Sequence, residues 1–165
     1  MDRDDRRRVD DLRTYGQSRA VRWDRYDYRE DAVVHLTICA DHGVPFADVF
    51  VARMVCDSVV KCCELRSYRL FGYCLMPDHL HVLLSPADSG VEVARWLAAF
   101  KSFTTHVYFE RGGTPPLWHR SAYDHVCRDG ETAESVLRYI ADNPVRKNLV
   151  SDWREWPWTR VFVEI

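Results

Sequence analysis

Long hydrophobic runs are missing from this 165-residue chain: none approaches the ~18–20 apolar residues that span a bilayer. The opening string MDRDDRRRVDDLR has no apolar stretch of the signal-peptide kind. These absences lead to the expectation of a cytoplasmic protein with no membrane partner. No charge sign dominates either. The formal net charge is −2 at pH 7, so no global basic field announces a nucleic-acid partner. Lysine is scarce, accounting for three of the 23 basic residues and leaving 20 to arginine. Arginine is the better bidentate phosphate ligand, but genome base composition produces the same bias. The six cysteines (Cys39, Cys56, Cys62, Cys63, Cys74 and Cys127) contain no C-x-x-C spacing, which argues against zinc-ribbon and redox motifs. Most stand inside apolar periodic stretches, as reduced buried thiols do. No G-x-x-x-x-G-K-[ST] string is present to cradle a nucleoside triphosphate.

What is present suits one domain of 19.4 kDa with 47% hydrophobic, 29% charged and 13% aromatic residues. Residues 1–30 mix nine Arg with eight Asp or Glu and read as a flexible leader, with a DNA-contacting arm as the other reading. Residues 31–150 form the expected folded domain and 151–165 a tail packing on it. The β-branched run at 33–39 predicts a strand. Val51, Met54, Val55, Val59 and Cys62 recur at helical spacing and predict a helix over 47–65. Strands are expected at 70–75 and 79–85, a helix over 91–109 and a strand at 122–127. The last helix is expected over 131–142, with Asp129 as its N-cap. The order β-α-β-β-α-β plus one added helix predicts an α+β fold, a ferredoxin-like two-layer sandwich with helices on one sheet face. The other face is expected to lie open to a site or a partner.

The sharpest chemical signal is on the third strand. His79 and His81 are two apart, so their imidazoles project from one face while Leu80 and Val82 point to the helix-covered core. Two adjacent imidazoles suit one divalent metal; two partly exposed surface histidines are the plainer alternative. A histidine-triad hydrolase needs a third His where Leu83 stands, and a cupin needs a Glu near Ser85 and Pro86. The second signal is on the last helix. Ala133, Val136, Leu137 and Ile140 form its apolar stripe, and Tyr139 and Asn143 share a side away from that stripe. Tyr139 reads as a boundary residue or a reactive phenol. Asn143 before Pro144 reads as a helix cap or as a metal ligand.

The string Tyr73-Cys74-Leu75-Met76-Pro77-Asp78-His79-Leu80-His81-Val82 closely resembles the His-hydrophobic-His (HUH) motif of single-tyrosine transposases. Tyr139-Ile140-Ala141-Asp142-Asn143-Pro144-Val145 resembles their nucleophile helix. Leu117-Trp118-His119-Arg120 and Glu155-Trp156-Pro157-Trp158 look like the REP-associated tyrosine transposase branch, although Gln is common there at the position of His119. The resemblance covers roughly residues 33–160.

The resemblance implies a metal-dependent enzyme that cleaves and rejoins single-stranded or hairpin DNA through a 5′-phosphotyrosine. Tyr139 would be the nucleophile, and His79, His81 and Asn143 the ligands of Mg²⁺ or Mn²⁺. A free tyrosine phenol titrates near ~10, so at pH 7 about one in a thousand is phenolate, a deficit of roughly 4 kcal/mol that a bound cation would help offset. Lys101, Arg120, Arg146 and Lys147 are the candidate phosphate contacts, with Trp118 a candidate base platform. Trp156 and Trp158 read either as further platforms or as packing at the tail–domain seam. His35 reads as a satisfied strand histidine or a structural neighbour on the same face rather than as a third imidazole ligand. A DNA-binding module without catalysis and a phosphoesterase on small nucleotides are the competing functions. Both a monomer and a homodimer fit.

Overall fold

The computed structural model describes residues 19–20, 32–86, 89–127 and 132–164. The strands are β1 (Arg19–Ala20), β2 (Val34–Cys39), β3 (Arg69–Leu75), β4 (His79–Ser85), β5 (Tyr123–Val126) and β6 (Thr159–Val161). The helices are α1 (Val49–Glu64), α2 (Val93–Glu110), α3 (Ala133–Ala141) and α4 (Asn143–Arg146). One antiparallel sheet runs in the order β1-β5-β2-β4-β3-β6. Its centre, β5-β2-β4-β3, is the order that two interleaved split βαβ units produce, so the ferredoxin-like expectation holds. Among the described residues, no helix is long and apolar enough to cross a membrane.

Alternation along β2 and β4 builds the first core. Val34, Leu36 and Ile38 with Leu80, Val82 and Leu84 face α1 and α2 and are fully buried. Helix α1 starts where the Asp48 carboxylate accepts from the Phe50 and Val51 amides, at 2.9 and 3.0 Å. It buries Ala52, Val55, Cys56, Val59, Cys62 and Cys63. Helix α2 contributes Trp96 and Phe100, whose rings stack at 5.3 Å between centroids.

The two-layer sandwich with an added helix stands, but the opposite sheet face is not left open as expected. Helix α3 lies across it, packing Val136, Leu137 and Ile140 on Phe71, Cys74, Met76 and Leu83. A helix of nine residues is too short to hold itself in water. Its three fully buried aliphatic side chains supply about 1.5–3 kcal/mol each before entropy is charged. The expected cap Asp129 lies outside the described residues. Thr132 caps α3 instead, its hydroxyl accepting from the Ser135 amide at 3.1 Å.

Both ends of the chain add edge strands that local periodicity did not reveal. Arg19–Ala20, within the expected leader, pairs with Asp124 and Tyr123 of β5; the remainder of the leader lies outside the described residues. At the other edge, β6 pairs with Gly72, Tyr73 and Cys74 of β3, and the Trp156 indole donates to the Leu75 carbonyl at 2.9 Å. Trp156 and Trp158 are thus seam residues, each packed against one of the two cores.

Gly72 is where α3, β3 and β6 meet. A Cβ there would lie 2.6 Å from Leu137 Cδ1 and 2.7 Å from the Arg160 carbonyl oxygen. Leu137 can give way, but the Arg160 backbone cannot move without unpairing β6. The expected result of Gly72→Ala is a loss of about 1–3 kcal/mol of stability, read as a lower urea midpoint. An unchanged midpoint would show that this three-element junction is looser than its distances imply.

Candidate active site

His79 and His81 leave β4 on the α3 side of the sheet, and their Nε2 atoms are 3.0 Å apart with the rings at 89°. Each imidazole has a partner behind it. Asp78 Oδ1 lies 2.7 Å from His79 Nδ1. A carboxylate can only accept here, so Nδ1 carries the proton and His79 presents a bare Nε2. His81 Nδ1 lies 3.1 Å from His35 Nε2 and 3.1 Å from Thr37 Oγ1. Register makes this possible: β2 runs antiparallel to β4 with Thr37 opposite His81 and His35 opposite Leu83, so all four side chains share one face.

His81 is 3% and His35 7% exposed. Burial pushes His35 from the usual 6.5 down to about 3, with His125 and His79 adding to the shift. Burial also holds His81 well below its usual value, reinforced by His79 and His35. Both rings are neutral at physiological pH, the form that ligates metals. Two facing Nε2 atoms at 3.0 Å need either a shared proton or a cation between them. Neighbouring ligands at about 2.1 Å from one ion are about 3 Å apart when they subtend a right angle, as in octahedral sites, and about 3.4 Å apart in tetrahedral ones. The pair therefore fits an octahedral divalent ion. Among the described residues no cluster of three or more His, Cys, Asp or Glu is set to hold a metal, so the pair would need other donors to complete a shell.

Tyr139 and Asn143 sit at the C-terminal end of α3, over the same face. Their helix packs on Leu83 and Cys74, which are respectively two residues along from His81 and directly opposite it. Tyr139 is half-buried off the apolar stripe, as its helical phase predicts, and the Arg146 guanidinium lies over its ring at 4.7 Å from the centroid. Asn143 is 7% exposed, and its Nδ2 donates to the Tyr139 and Ile140 carbonyls at 3.1 and 3.2 Å. It closes the end of α3, while Asp142 takes the N-cap position of α4; the reading of Asn143 as N-cap of the short helix is corrected accordingly. Lys147 follows α4 and is exposed.

The other three candidates gather elsewhere, along a shallow groove of about 460 Å³ beside α2. Arg120 is exposed on its rim. Trp118 is 4% exposed, packs on Phe46 and Phe100, and donates its indole N–H to Thr104 at 2.7 Å. This corrects its assignment as a base platform: the ring is built into the core, and too little of it is exposed at the groove for a base to stack on. Lys101 donates to the carbonyls of His119, Arg120 and Ser121 at 2.9, 3.3 and 3.2 Å, and burial lowers it to about 8. Its ammonium is committed to the loop before β5. The residues that sequence reasoning missed are Asp78 and Thr37. Asp78 was visible as an acid next to an imidazole, whereas Thr37 needed the strand register.

The buried imidazoles make stability depend on pH with a definite sign. In the metal-free protein His35 and His81 stay neutral while their unfolded counterparts protonate near ~6.5, so the unfolded state binds more protons below that pH. Their contribution is complete above pH 6.5 and is lost as pH falls toward about 3, the value reached by His35. Each costs up to about 1.4 kcal/mol per pH unit in that window. Urea unfolding in chelator should show stability falling from pH 7 to pH 5, and His35→Gln should remove about one proton's share of the slope. Equal slopes in the two proteins would contradict a buried, neutral His35.

Residues 29–143 match the family described as "Transposase IS200 like". A putative REP-associated tyrosine transposase of Haemophilus influenzae is 27% identical over 111 residues, covering 59% of this chain and 61% of that protein. A REP-associated tyrosine transposase of Escherichia coli is 22% identical over 108 residues, covering 65% of this chain and 62% of the relative. The matched region thus spans about three fifths of the length of these two relatives. A solved REP-associated tyrosine transposase bound to a REP hairpin superposes with a TM-score of 0.68 at 18% identity, covering 82% of this chain and 79% of the other, and supports the same fold. With the family match extending over more than half of its residues, the chain belongs to the IS200-like transposases.

Proposed function

We propose that this chain is a metal-dependent single-stranded DNA endonuclease and strand transferase that acts on hairpin-forming repeat DNA through a 5′-phosphotyrosine intermediate. One observation carries the reading: the helix bearing Tyr139 covers the sheet face on which His79 and His81 turn their Nε2 atoms toward each other at 3.0 Å. The relative solved with a REP hairpin supports the choice of substrate.

His79 and His81 would hold Mg²⁺ or Mn²⁺, with Asn143 Oδ1 as the candidate third protein ligand. Imidazole nitrogen favours Mn²⁺ of the two. When bound, the ion would polarise the scissile phosphate and stabilise charge developing on it. Tyr139 Oη gives up its proton and attacks phosphorus, the bond to the 3′-oxygen breaks, and that oxygen takes up a proton, leaving a 5′-phosphotyrosine and a free 3′-hydroxyl. Attack by a 3′-hydroxyl reverses the step and joins strands, so no nucleotide cofactor is consumed. Arg146, already resting on the Tyr139 ring, supplies a guanidinium for the phosphate, and the exposed Arg120 and Lys147 extend the contact along the backbone. Tail strand β6 occupies the outer edge of β3 and removes one edge through which a second copy could pair, which favours a monomer using its own tyrosine.

Incubation with hairpin DNA carrying a single-stranded flank, in Mn²⁺, should yield a covalent adduct that mass spectrometry locates on the Tyr139 peptide. Tyr139→Phe should yield none while retaining the gel shift. His79→Ala, His81→Ala or chelator should abolish cleavage. Binding with no adduct under any condition would point instead to a DNA-binding module. Hydrolysis of a chromogenic phosphodiester without adduct would point to a small-substrate phosphoesterase.

A further inference from the structure

The geometry points to His35 as a positioning residue for His81: its Nε2 accepts the proton of His81 Nδ1 and thereby holds His81 in the one tautomer whose Nε2 is bare. The inference rests on the reading of His79 and His81 as ligands of one divalent ion.

A neutral imidazole carries one proton on two nitrogens. If His81 Nε2 is to donate a lone pair to a cation, that proton must reside on Nδ1 and needs an acceptor there. At 3% exposure His81 has little access to bulk water. Two side chains lie within reach, His35 Nε2 and Thr37 Oγ1, each at 3.1 Å. They are not equivalent. A hydroxyl both donates and accepts, so Thr37 satisfies either tautomer of His81 and selects neither. An imidazole nitrogen is one or the other. The pair has two matched states: His35 Nε2 donating to His81 Nδ1, which leaves the His81 proton on Nε2, and His35 Nε2 accepting from His81 Nδ1, which leaves Nε2 bare; a cation at Nε2 requires the second, with the His35 proton on its own Nδ1. His35 is itself held by the sheet, paired in register with Leu83 of β4 and His125 of β5. No other described ring or acid stands behind His81 as Asp78 stands behind His79.

The two ligands are consequently backed by different chemistry. His79 leans on a carboxylate, which fixes its tautomer and ring orientation. His81 leans on a neutral ring, which fixes orientation without adding a second negative charge near the site. The cation would keep more of its own charge for a phosphate than two carboxylate-backed ligands would leave it.

The test reads metal binding by the full chain without DNA. Mn²⁺ is titrated into the metal-free protein and free Mn²⁺ is followed by electron paramagnetic resonance. Wild type, His35→Leu, His35→Gln, His35→Asn, Thr37→Val and His81→Ala are compared, with thermal melting in chelator verifying that each is folded. His35→Leu should weaken Mn²⁺ binding by about 10–100-fold. His35→Gln, whose Oε1 reaches as far as the lost Nε2 but whose amide can also turn its donor inward, should recover part of it. His35→Asn, one carbon shorter, should not, and Thr37→Val should cost less than His35→Leu. A wild-type affinity in His35→Leu, or equal affinities in the Gln and Asn variants, would overturn the assignment; the Gln–Asn contrast decides it should the Leu variant fail to fold. Wild-type binding in His81→Ala is a separate outcome: it would remove His81 from the metal and with it the premise.

Discussion

The register of β4 against β2 is the constraint from which the rest of this structure follows. With Leu80, Val82 and Leu84 committed to the core under α1 and α2, His79 and His81 have no choice but the opposite face. A slip of one residue would send two imidazoles into an apolar core and three leucine or valine side chains out of it. The same register brings Thr37 and His35 behind His81, so the burial that stabilises one face also aligns the polar network on the other. Neither layer could be changed without the other: the hydrophobic term holds the strand in place, and the imidazole chain inherits its geometry.

Helix α3 adds a second consequence. An open sheet face would leave the histidines hydrated and free to protonate near neutral pH. The helix buries Leu83 and Cys74 beside them, and the dry surroundings keep His35 and His81 neutral. Burying an uncharged His81 imidazole is tolerated because its Nδ1 has two partners, His35 Nε2 and Thr37 Oγ1, each at 3.1 Å. The helix that shields the pair also carries Tyr139 and ends on the Asn143 carboxamide. Covering this sheet face and placing Tyr139 over it are therefore one structural act, and Gly72, by having no side chain, sets how closely that helix can approach.

Much of this was legible in the sequence because it is local. The bounds of β4, the shared face of His79 and His81, the apolar stripe of α3 and the phase of Tyr139 all follow from periods of 2 and 3.6 residues. What was not legible depends on contacts between distant segments. Trp118 looks like a loop tryptophan until α2 and Phe46 close over it. Strands β1 and β6 are too short to announce themselves, with two and three residues. Sequence alone does not choose between cap and ligand for Asn143, and its Nδ2 bonds account for half of the carboxamide only. The His35–His81 contact spans 46 positions and exists only once β2 and β4 pair.

Lys101 illustrates how a residue nominated for one task can serve the same site by another route. Its ammonium gathers the carbonyls of His119, Arg120 and Ser121. The His119 amide, in turn, donates to the Cys39 carbonyl at 2.9 Å, and Trp118 bridges to Ala40. The Ala40 amide donates to the Asp78 carbonyl at 2.8 Å, and Asp78 is the residue whose carboxylate fixes His79. A continuous path of hydrogen bonds and β-pairing thus runs from α2, through the loop before β5 and the end of β2, to the acid behind the first histidine. A half-buried cation at that loop costs desolvation, and the three carbonyls offset the cost while tying down a segment that has little regular structure of its own. The electrostatics of this loop are in that sense spent inward, on the frame of the histidine pair, leaving Arg120 as the charge on its outer rim.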